Sequence, residues 1–343
     1  MQTTPSRMRA AVLTEPGRID LRERPVPRPA PGEVLIRVHA VGVCGSDAHY
    51  YREGRIGEFV VEAPLILGHE AGGVIVAVGE KVPEGRIGQR VSIEPQRPDP
   101  DSAETRAGRY NLCPHMRFYA TPPVDGALCE FVTIGAAFAH PVPDTISDEA
   151  AALCEPLSVG IAAVRKAGVE GGSRILVAGA GPIGVLVAQV ARAYGATEII
   201  VSDPDSRRRE AALQFGATAA VDPAAGPAEP HVDAFVDASG SQAAVTAGVA
   251  AVRPAGRVVL VGAGAPAMSL PVQRIQQREL VLTGVFRYAG TWPAAIALTA
   301  GGRVDLDAMV TARYPLERTT EALESDRRPG NLKTIVEVAN TCD

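Results

Sequence analysis

Residues 173–195 read SRILVAGAGPIGVLVAQVARAYG: an apolar strand, a glycine-rich turn, then an apolar helix pattern. A strand–turn–helix gives each glycine of Gly179-Ala-Gly181-Pro182-Ile183-Gly184 its own reason. Gly179 permits the tight turn, Gly181 lets a pyrophosphate approach the backbone, and Gly184 lets helix and strand pack closely. The amides at the helix start then face the phosphates, with Pro182 and Ile183 in the same contact. Asp203 ends the next strand, 19 residues after Gly184, where a carboxylate can accept both ribose hydroxyls.

Working outward, EIIVSD, the helix DSRRREAALQFG, TAAVD, VDAFVDASG, GRVVLVGAG and ELVLTGVF follow. Strands and helices alternating at this length mean a doubly wound parallel sheet with helices on both faces. Arg207–Arg209 could attract a 2′-phosphate, but Asp203 would face it. Two like charges at ~4 Å cost about 1 kcal/mol in water and about 4 kcal/mol at an effective dielectric near 20. NAD is therefore expected over NADP, with Arg208 flanking the adenine and the other two arginines on a solvated helix face.

Upstream, residues 9–95 read as short strands broken by Gly and Pro (MRAAVL, GEVLIRVHAVG, GGVIVAVGE, QRVSIEP), as in a small, mostly antiparallel β barrel. Residues 96–126 read as an irregular lobe. After Val285 the text turns irregular, passes two short helices and closes on a strand, NLKTIVEV. The α/β sheet already has six strands, so this last one is expected to return to the N-terminal domain. The organisation is discontinuous: 1–156 and 288–343 around an inserted 157–287.

At 343 residues the chain exceeds one ordinary domain. With 46% hydrophobic and 21% charged residues it can bury large cores. A net charge of −5 argues against nucleic acid and anionic membrane as partners, since both reward a basic face. No stretch approaches the ~20 apolar residues that span a bilayer. The opening MQTTPSRMRAAVLTEPG lacks an apolar h-region and a small-residue cleavage site, so a cytoplasmic location is expected. Cys44, Cys113, Cys129, Cys154 and Cys342 are too few and scattered for a disulfide framework.

Two motifs carry metal chemistry: Gly42-Val-Cys44-Gly-Ser46-Asp-Ala-His49-Tyr50 and Gly68-His69-Glu70-Ala-Gly-Gly73. A catalytic zinc takes about three protein ligands from thiolate, imidazole and carboxylate and keeps one position open. Cys44, His69 and Glu70 supply one of each. With CGSDAHYYREGRIGEF, LGHEAGG, RYNLC, FYATPPVDG, EPLSVG, GAGPIG and GVFRYAGTWP in order, the chain resembles the medium-chain zinc-dependent alcohol dehydrogenase superfamily, and within it the sorbitol (polyol) dehydrogenase branch. The resemblance covers nearly the whole length. It implies a Rossmann sheet inserted in a GroES-like, mostly-β catalytic domain, with zinc at Cys44, His69 and Glu70. Glu155 of EPLSVG would touch the metal directly or through water. Because Zn²⁺ with one thiolate and one carboxylate is already neutral, a bridging water is expected, a third anion weakening the Lewis acidity.

Many relatives carry a second, structural zinc on four cysteines. Aligned back from Cys113, the other three positions hold Asp99, Ser102 and Thr105. Ser and Thr rarely bind zinc, so a single catalytic zinc is expected.

The implied reaction is oxidation of a secondary alcohol to a ketone with hydride transfer to NAD. By the same resemblance Ser46 and His49 relay the proton, and Val261, Gly262, Ala263 and Phe286 lie near the nicotinamide. Arg287 and Tyr288 resemble the polyol-binding pair, and Tyr50, Phe118 and Thr121 complete the pocket. Sorbitol, xylitol or a related sugar alcohol is the expected substrate. Another secondary alcohol, such as L-threonine or an aldonate, is the alternative. A non-catalytic NAD-binding protein would show damage to the ligand set, and this set is intact. Relatives are dimers or tetramers, so a homo-oligomer is implied, tetramer ahead of dimer, with ELVLTGVF able to pair across a two-fold axis.

Overall fold

The computed structural model describes residues 4–225 and 231–338; Cys342 lies outside them. The chain divides into two compact units, Met1–Glu155 with Leu306–Asp343, and Pro156–Asp305. The first boundary falls inside the helix Asp148–Ala167, at Pro156, a residue that cannot donate the helical hydrogen bond of its position.

The first unit is built on strands whose apolar residues leave few positions for solvent. Glu33–Gly42 is buried along most of its length because it is central: it pairs antiparallel with Glu70–Val78, Phe131–Gly135 and Lys333–Glu337. The seven-stranded sheet runs Ala139–Pro141, Arg90–Ile93, Glu70–Val78, Glu33–Gly42, Lys333–Glu337, Val310–Pro315, with Phe131–Gly135 branching from Glu33–Gly42. Lys333–Glu337 thus joins the N-terminal domain's sheet, where Ile335 pairs with Gly42. A second sheet holds Arg18–Pro25, Arg7–Glu15 and Leu65–Ile66. Val12, Leu13, Ile36, Ile75, Ile93 and Ile134 share one core between the two sheets.

Arg18–Pro25 (RIDLRERP) alternates apolar residues only at Ile19 and Leu21 and is a strand along its whole length nonetheless. It is mostly exposed, pairs only with Arg7–Glu15, and meets its charge needs through Arg18–Asp20 and Arg22–Asp20 ion pairs. Charged edge strands discourage pairing with other chains, at the expense of the pattern that would reveal them. The lobe at 96–126 contains the two-stranded pair Gln96–Arg97 and Arg117–Phe118 and the short helix Ala103–Arg106.

The second unit is a six-stranded parallel sheet in the order Ala219–Val221, Glu198–Ser202, Arg174–Ala178, Val232–Asp237, Val252–Leu260, Val281–Gly284. The strand order reverses direction between Arg174–Ala178 and Val232–Asp237, where such sheets open a ligand crevice at their carboxyl ends. The helix Pro182–Ala193 is apolar almost all round and buried from Gly184 to Ala191. Residues 288–305, expected with the first domain, group with this unit instead. Asp305 N–H donates to the Gln189 side chain at 2.8 Å, and Arg165 donates to the Gly290 carbonyl at 3.1 Å. These contacts bind the segment to the unit's own helices.

Candidate metal centre and nucleotide cradle

Cys44 stands immediately before the helix Gly45–Glu53, and the third residue of that helix, Asp47, accepts the Cys44 N–H at 3.1 Å. His69 and Glu70 lie where the strand Glu70–Val78 begins, and Glu70 is directly opposite Gly42 on the neighbouring strand. One potential ligand atom from each of Cys44, His69 and Glu70 falls within 4.8 Å of the other two, and among the described residues this group is the one with metal-ligand character. The register demands a glycine across from the carboxylate: a Cβ on Gly42 would sit 2.0 Å from Glu70 Oε2.

The donor set fits a zinc ion. It offers one thiolate, one imidazole and one carboxylate, a mixture of donors within reach of a single cation. The second ring nitrogen of His69 is directed by Asp47, a residue that sequence reasoning missed. Asp47 Oδ1 lies 3.4 Å from His69 Nδ1 and accepts the Gly68 N–H at 2.9 Å, all in a buried setting. A carboxylate on Nδ1 leaves Nε2 for the metal and makes the ring a better donor. The signal was present, since CGSD places an acid three residues after the cysteine, but spacing alone does not reveal a partner 22 positions on.

Before metal binds, burial disfavours the His69 imidazolium, yet the Asp47 carboxylate and the Cys44 sulfur outweigh it and hold the pKa well above 6.5. Burial likewise opposes ionisation of Asp47, but His69 and the Gly68 and Cys44 amides keep its carboxyl below the ordinary value. Metal must therefore displace a proton from His69.

A second residue was not foreseen. Lys333 is 3% exposed, donates to Glu70 Oε1 at 2.6 Å and to the Val43 carbonyl at 2.9 Å, and its Nζ is equally near Glu70 Oε2, without hydrogen-bond geometry.

The other expected residues of the first unit sit as follows. The Phe118 ring lies 5.5 Å from the His69 ring, tilted by 54°. Tyr50 is buried, Ser46 and Thr121 are half-buried, and His49 is exposed on the helix that begins after Cys44. Glu155 is buried and close enough for Lys333 to feel its charge, though outside the 4.8 Å group.

In the second unit, Gly179 has a φ of +92°, which an L side chain rarely adopts, and a Cβ on Gly184 would sit 1.8 Å from the Gly179 carbonyl oxygen. Gly181 is different. A Cβ there meets nothing within 4 Å, the open space that a pyrophosphate needs beside the helix Pro182–Ala193, with Ile183 in its first turn. Asp203 is buried, and its two oxygens accept the Ala180 N–H at 2.8 Å and the Asp205 N–H at 2.9 Å, which fixes the carboxylate beside the glycine turn. Arg207 and Arg208 are exposed. Arg209 departs from the solvated helix face: it donates to the Asp203 and Pro204 carbonyls and lies 3.2 Å from Asp222. The N–H groups of Val261 and Gly262 both donate to the Asp237 carbonyl, and Ala263 is exposed.

Arg287 has a φ of +55°, a left-handed conformation that costs a non-glycine residue about 1 kcal/mol. Its guanidinium lies 4.7 Å from the centre of the half-exposed Phe286 ring. Tyr288 is 1% exposed, its ring set edge-on to Trp292 at 5.0 Å, so it packs within its own unit.

Residues 30–144 match the alcohol dehydrogenase GroES-like domain, and residues 182–301 match the zinc-binding dehydrogenase domain. Sorbitol dehydrogenase from Macaca fascicularis is 43% identical over 336 residues, spanning 95% of this chain and 94% of that protein. The chain belongs to the zinc-dependent medium-chain dehydrogenase family. Among solved structures, L-idonate 5-dehydrogenase from Escherichia coli K-12 superposes with a TM-score of 0.91 at 27% identity, over 97% of this dehydrogenase and 98% of that one. An Escherichia coli CFT073 alcohol dehydrogenase holding NADH (TM-score 0.91, 26% identity) and a Sinorhizobium meliloti zinc-binding dehydrogenase holding NADP (0.90, 29%) each align over 97% of the chain and 100% of their own. The dehydrogenase is thus an oxidoreductase of a zinc- and nicotinamide-dependent family, and no helix among its described residues is long and apolar enough to cross a membrane.

Proposed function

We propose that this chain oxidises a secondary hydroxyl of a polyol, sorbitol, xylitol or a close relative, to the ketose, with NAD as hydride acceptor. The observation that carries the reading is the convergence of half-buried Cys44 with buried His69 and Glu70 within 4.8 Å, in a chain 43% identical to a sorbitol dehydrogenase. When bound there, zinc supplies Lewis acidity toward the alcohol oxygen, and the dinucleotide supplies the hydride acceptor.

The protein's own residues then bind, orient and move a proton. Cys44, His69 and Glu70 hold the metal, and Asp47 keeps the His69 ring in register. Glu155 acts through a water. Ser46, half-buried, and His49, exposed, form a proton route from interior to solvent. Tyr50, Phe118 and Thr121 line the alcohol's side, and Arg287 binds the remaining hydroxyls; Tyr288, buried against Trp292, has almost no exposed surface left for a hydroxyl to reach. A site built to hydrogen-bond hydroxyls can reject a substrate lacking them by ~10⁴. Asp203 favours NAD because a 2′-phosphate would meet its carboxylate. Val261, Gly262 and Ala263 would offer their carbonyls to a bound carboxamide, since the first two N–H groups donate to the Asp237 carbonyl.

One zinc per subunit is proposed. At the positions of a second site, Cys113 sulfur accepts the Asp99 N–H at 3.3 Å, and the Ser102 hydroxyl donates to the Thr105 hydroxyl at 2.9 Å, two side chains that are not customary zinc ligands. A homo-oligomer is supported by the sheet edge Val281–Gly284, where Val281 and Leu282 are exposed, while the preference for a tetramer over a dimer rests on the resemblance alone. A cytoplasmic setting rests on the sequence alone.

An aldonate is the second reading, favoured by the idonate dehydrogenase neighbour. NAD reduction on a panel of hexitols, pentitols and L-idonate, with metal analysis before and after chelation and zinc add-back, separates the two. A chelated protein that keeps full polyol activity rejects both.

A further inference from the structure

Lys333 is a buried ammonium that the proposed chemistry does not require, and a buried charge is retained only where partners offset its desolvation. Its partners are specific. Glu70 Oε1 and the Val43 carbonyl accept its hydrogen bonds at 2.6 and 2.9 Å, and Val43 is the residue immediately before Cys44. Three adjoining strands produce the meeting. Gly42 faces Glu70 on one side and Ile335 on the other, and Lys333 is two residues before Ile335. The Val43 N–H also donates to the Thr334 carbonyl at 2.9 Å, so the Lys333 strand clasps the segment leading into Cys44.

We propose that Lys333 is a positioning residue of the metal centre, holding the Glu70 carboxylate so that it converges with the Cys44 thiolate and the His69 imidazole. It acts through Glu70 and never touches substrate. The proposal rests on Cys44, His69 and Glu70 holding the metal. Charge supports it. Lys333 lies in the field of Glu70, Cys44 and Glu155, and three anions against one divalent cation leave an excess negative charge that one ammonium cancels. Sequence spacing placed only zinc, one thiolate and one carboxylate in that balance. With the ammonium included, Glu155 can approach the centre without making it net negative. Position supports it too: Glu70 is pinned between Lys333 on its oxygens and the Cα of Gly42, where even a methyl group would collide. Partners that orient ligands in this way are worth about 10–100-fold in metal affinity or activity.

A buried ion pair that served stability alone would leave the metal's ligand field untouched when removed. The test is the visible spectrum of the cobalt(II)-loaded full chain for wild type, Lys333→Met, Lys333→Arg, Glu70→Gln and the double variant Glu70→Gln/Lys333→Met. Lys333→Met is expected to shift the cobalt d–d maxima, as Glu70 leaves its orientation, and Lys333→Arg to move them back toward wild type. In the Glu70→Gln background, Lys333→Met should add no further shift. A folded Lys333→Met with wild-type maxima overturns the proposal, as does a shift that persists undiminished when Glu70 is already Gln. If Lys333→Met does not fold, the double variant, in which both charges are gone, is compared with Glu70→Gln: coincident spectra support the proposal and distinct ones overturn it. Absence of a thiolate-to-cobalt band in the wild type overturns the metal-centre reading and this proposal together. That band beside an indifferent Lys333 overturns this proposal alone.

Discussion

Replacing Gly42 with Ala tests the site's geometry with a single methyl group. The new Cβ would lie 2.0 Å from Glu70 Oε2 and 3.1 Å from Glu70 Cβ and Cδ. Ordinary contacts begin near 3.5 Å, so the carboxylate must retreat by more than ~1 Å. A surface glutamate would swing away at little cost, but Glu70 is 1% exposed and paired with Lys333. Overpacking of this kind costs about 1–3 kcal/mol, or roughly 4–8 °C in melting temperature at the middle of that range for domains of 150–250 residues. Zinc retention should fall about 10–100-fold, since the carboxylate ligand is what moves. Gly45→Ala is the control: three residues away, its added Cβ meets nothing within 4 Å, and its backbone is not left-handed. Calorimetry and chelator competition on both variants decide the matter. Gly42→Ala matching Gly45→Ala in melting temperature and zinc affinity would refute the reasoning, because the carboxylate then is not where the register puts it.

Asp47→Asn should weaken zinc retention about 10-fold or more while leaving the fold intact, read by competition with a chromogenic chelator; the amide can still bond to His69 but lacks the charge that makes the ring a strong donor. Acidification should release zinc, because His69, with its pKa raised by Asp47 and Cys44 against the effect of burial, binds a proton in competition with the metal. In the apo protein the sign is opposite: a raised histidine pKa contributes stability that is fully present below about pH 6.5 and is lost as pH rises through the elevated folded-state value. Melting curves of chelated and zinc-loaded protein should therefore diverge as pH increases. Asp203→Ser should raise kcat/KM for NADP relative to NAD by about 10-fold or more, as the like-charge penalty is removed, and an unchanged ratio counts against its ribose role. Arg287→Ala should raise KM for polyols much more than for a simple secondary alcohol, and equal losses on the two would remove it from the substrate site.

Local order made much of this protein legible. Gly179, Gly181 and Gly184 act within a single strand–turn–helix, where φ, close packing and room for a ligand are set by neighbours a few residues apart, so the turn can be read directly from the text. The same holds for the strands after residue 173, short apolar runs bounded by turn residues and alternating with helices, which are local signals, and for Cys44 and His69-Glu70, whose donor types state their chemistry. Tertiary structure alone decided what those residues meet. Lys333 reaches Glu70 across 263 positions because three strands pair in one register, and no window of sequence contains that register. Asp47 finds His69, and Arg209 reaches Asp222, for the same reason. A side chain's type is a property of the chain, whereas the desolvation and partners that set its behaviour exist only once distant segments have packed.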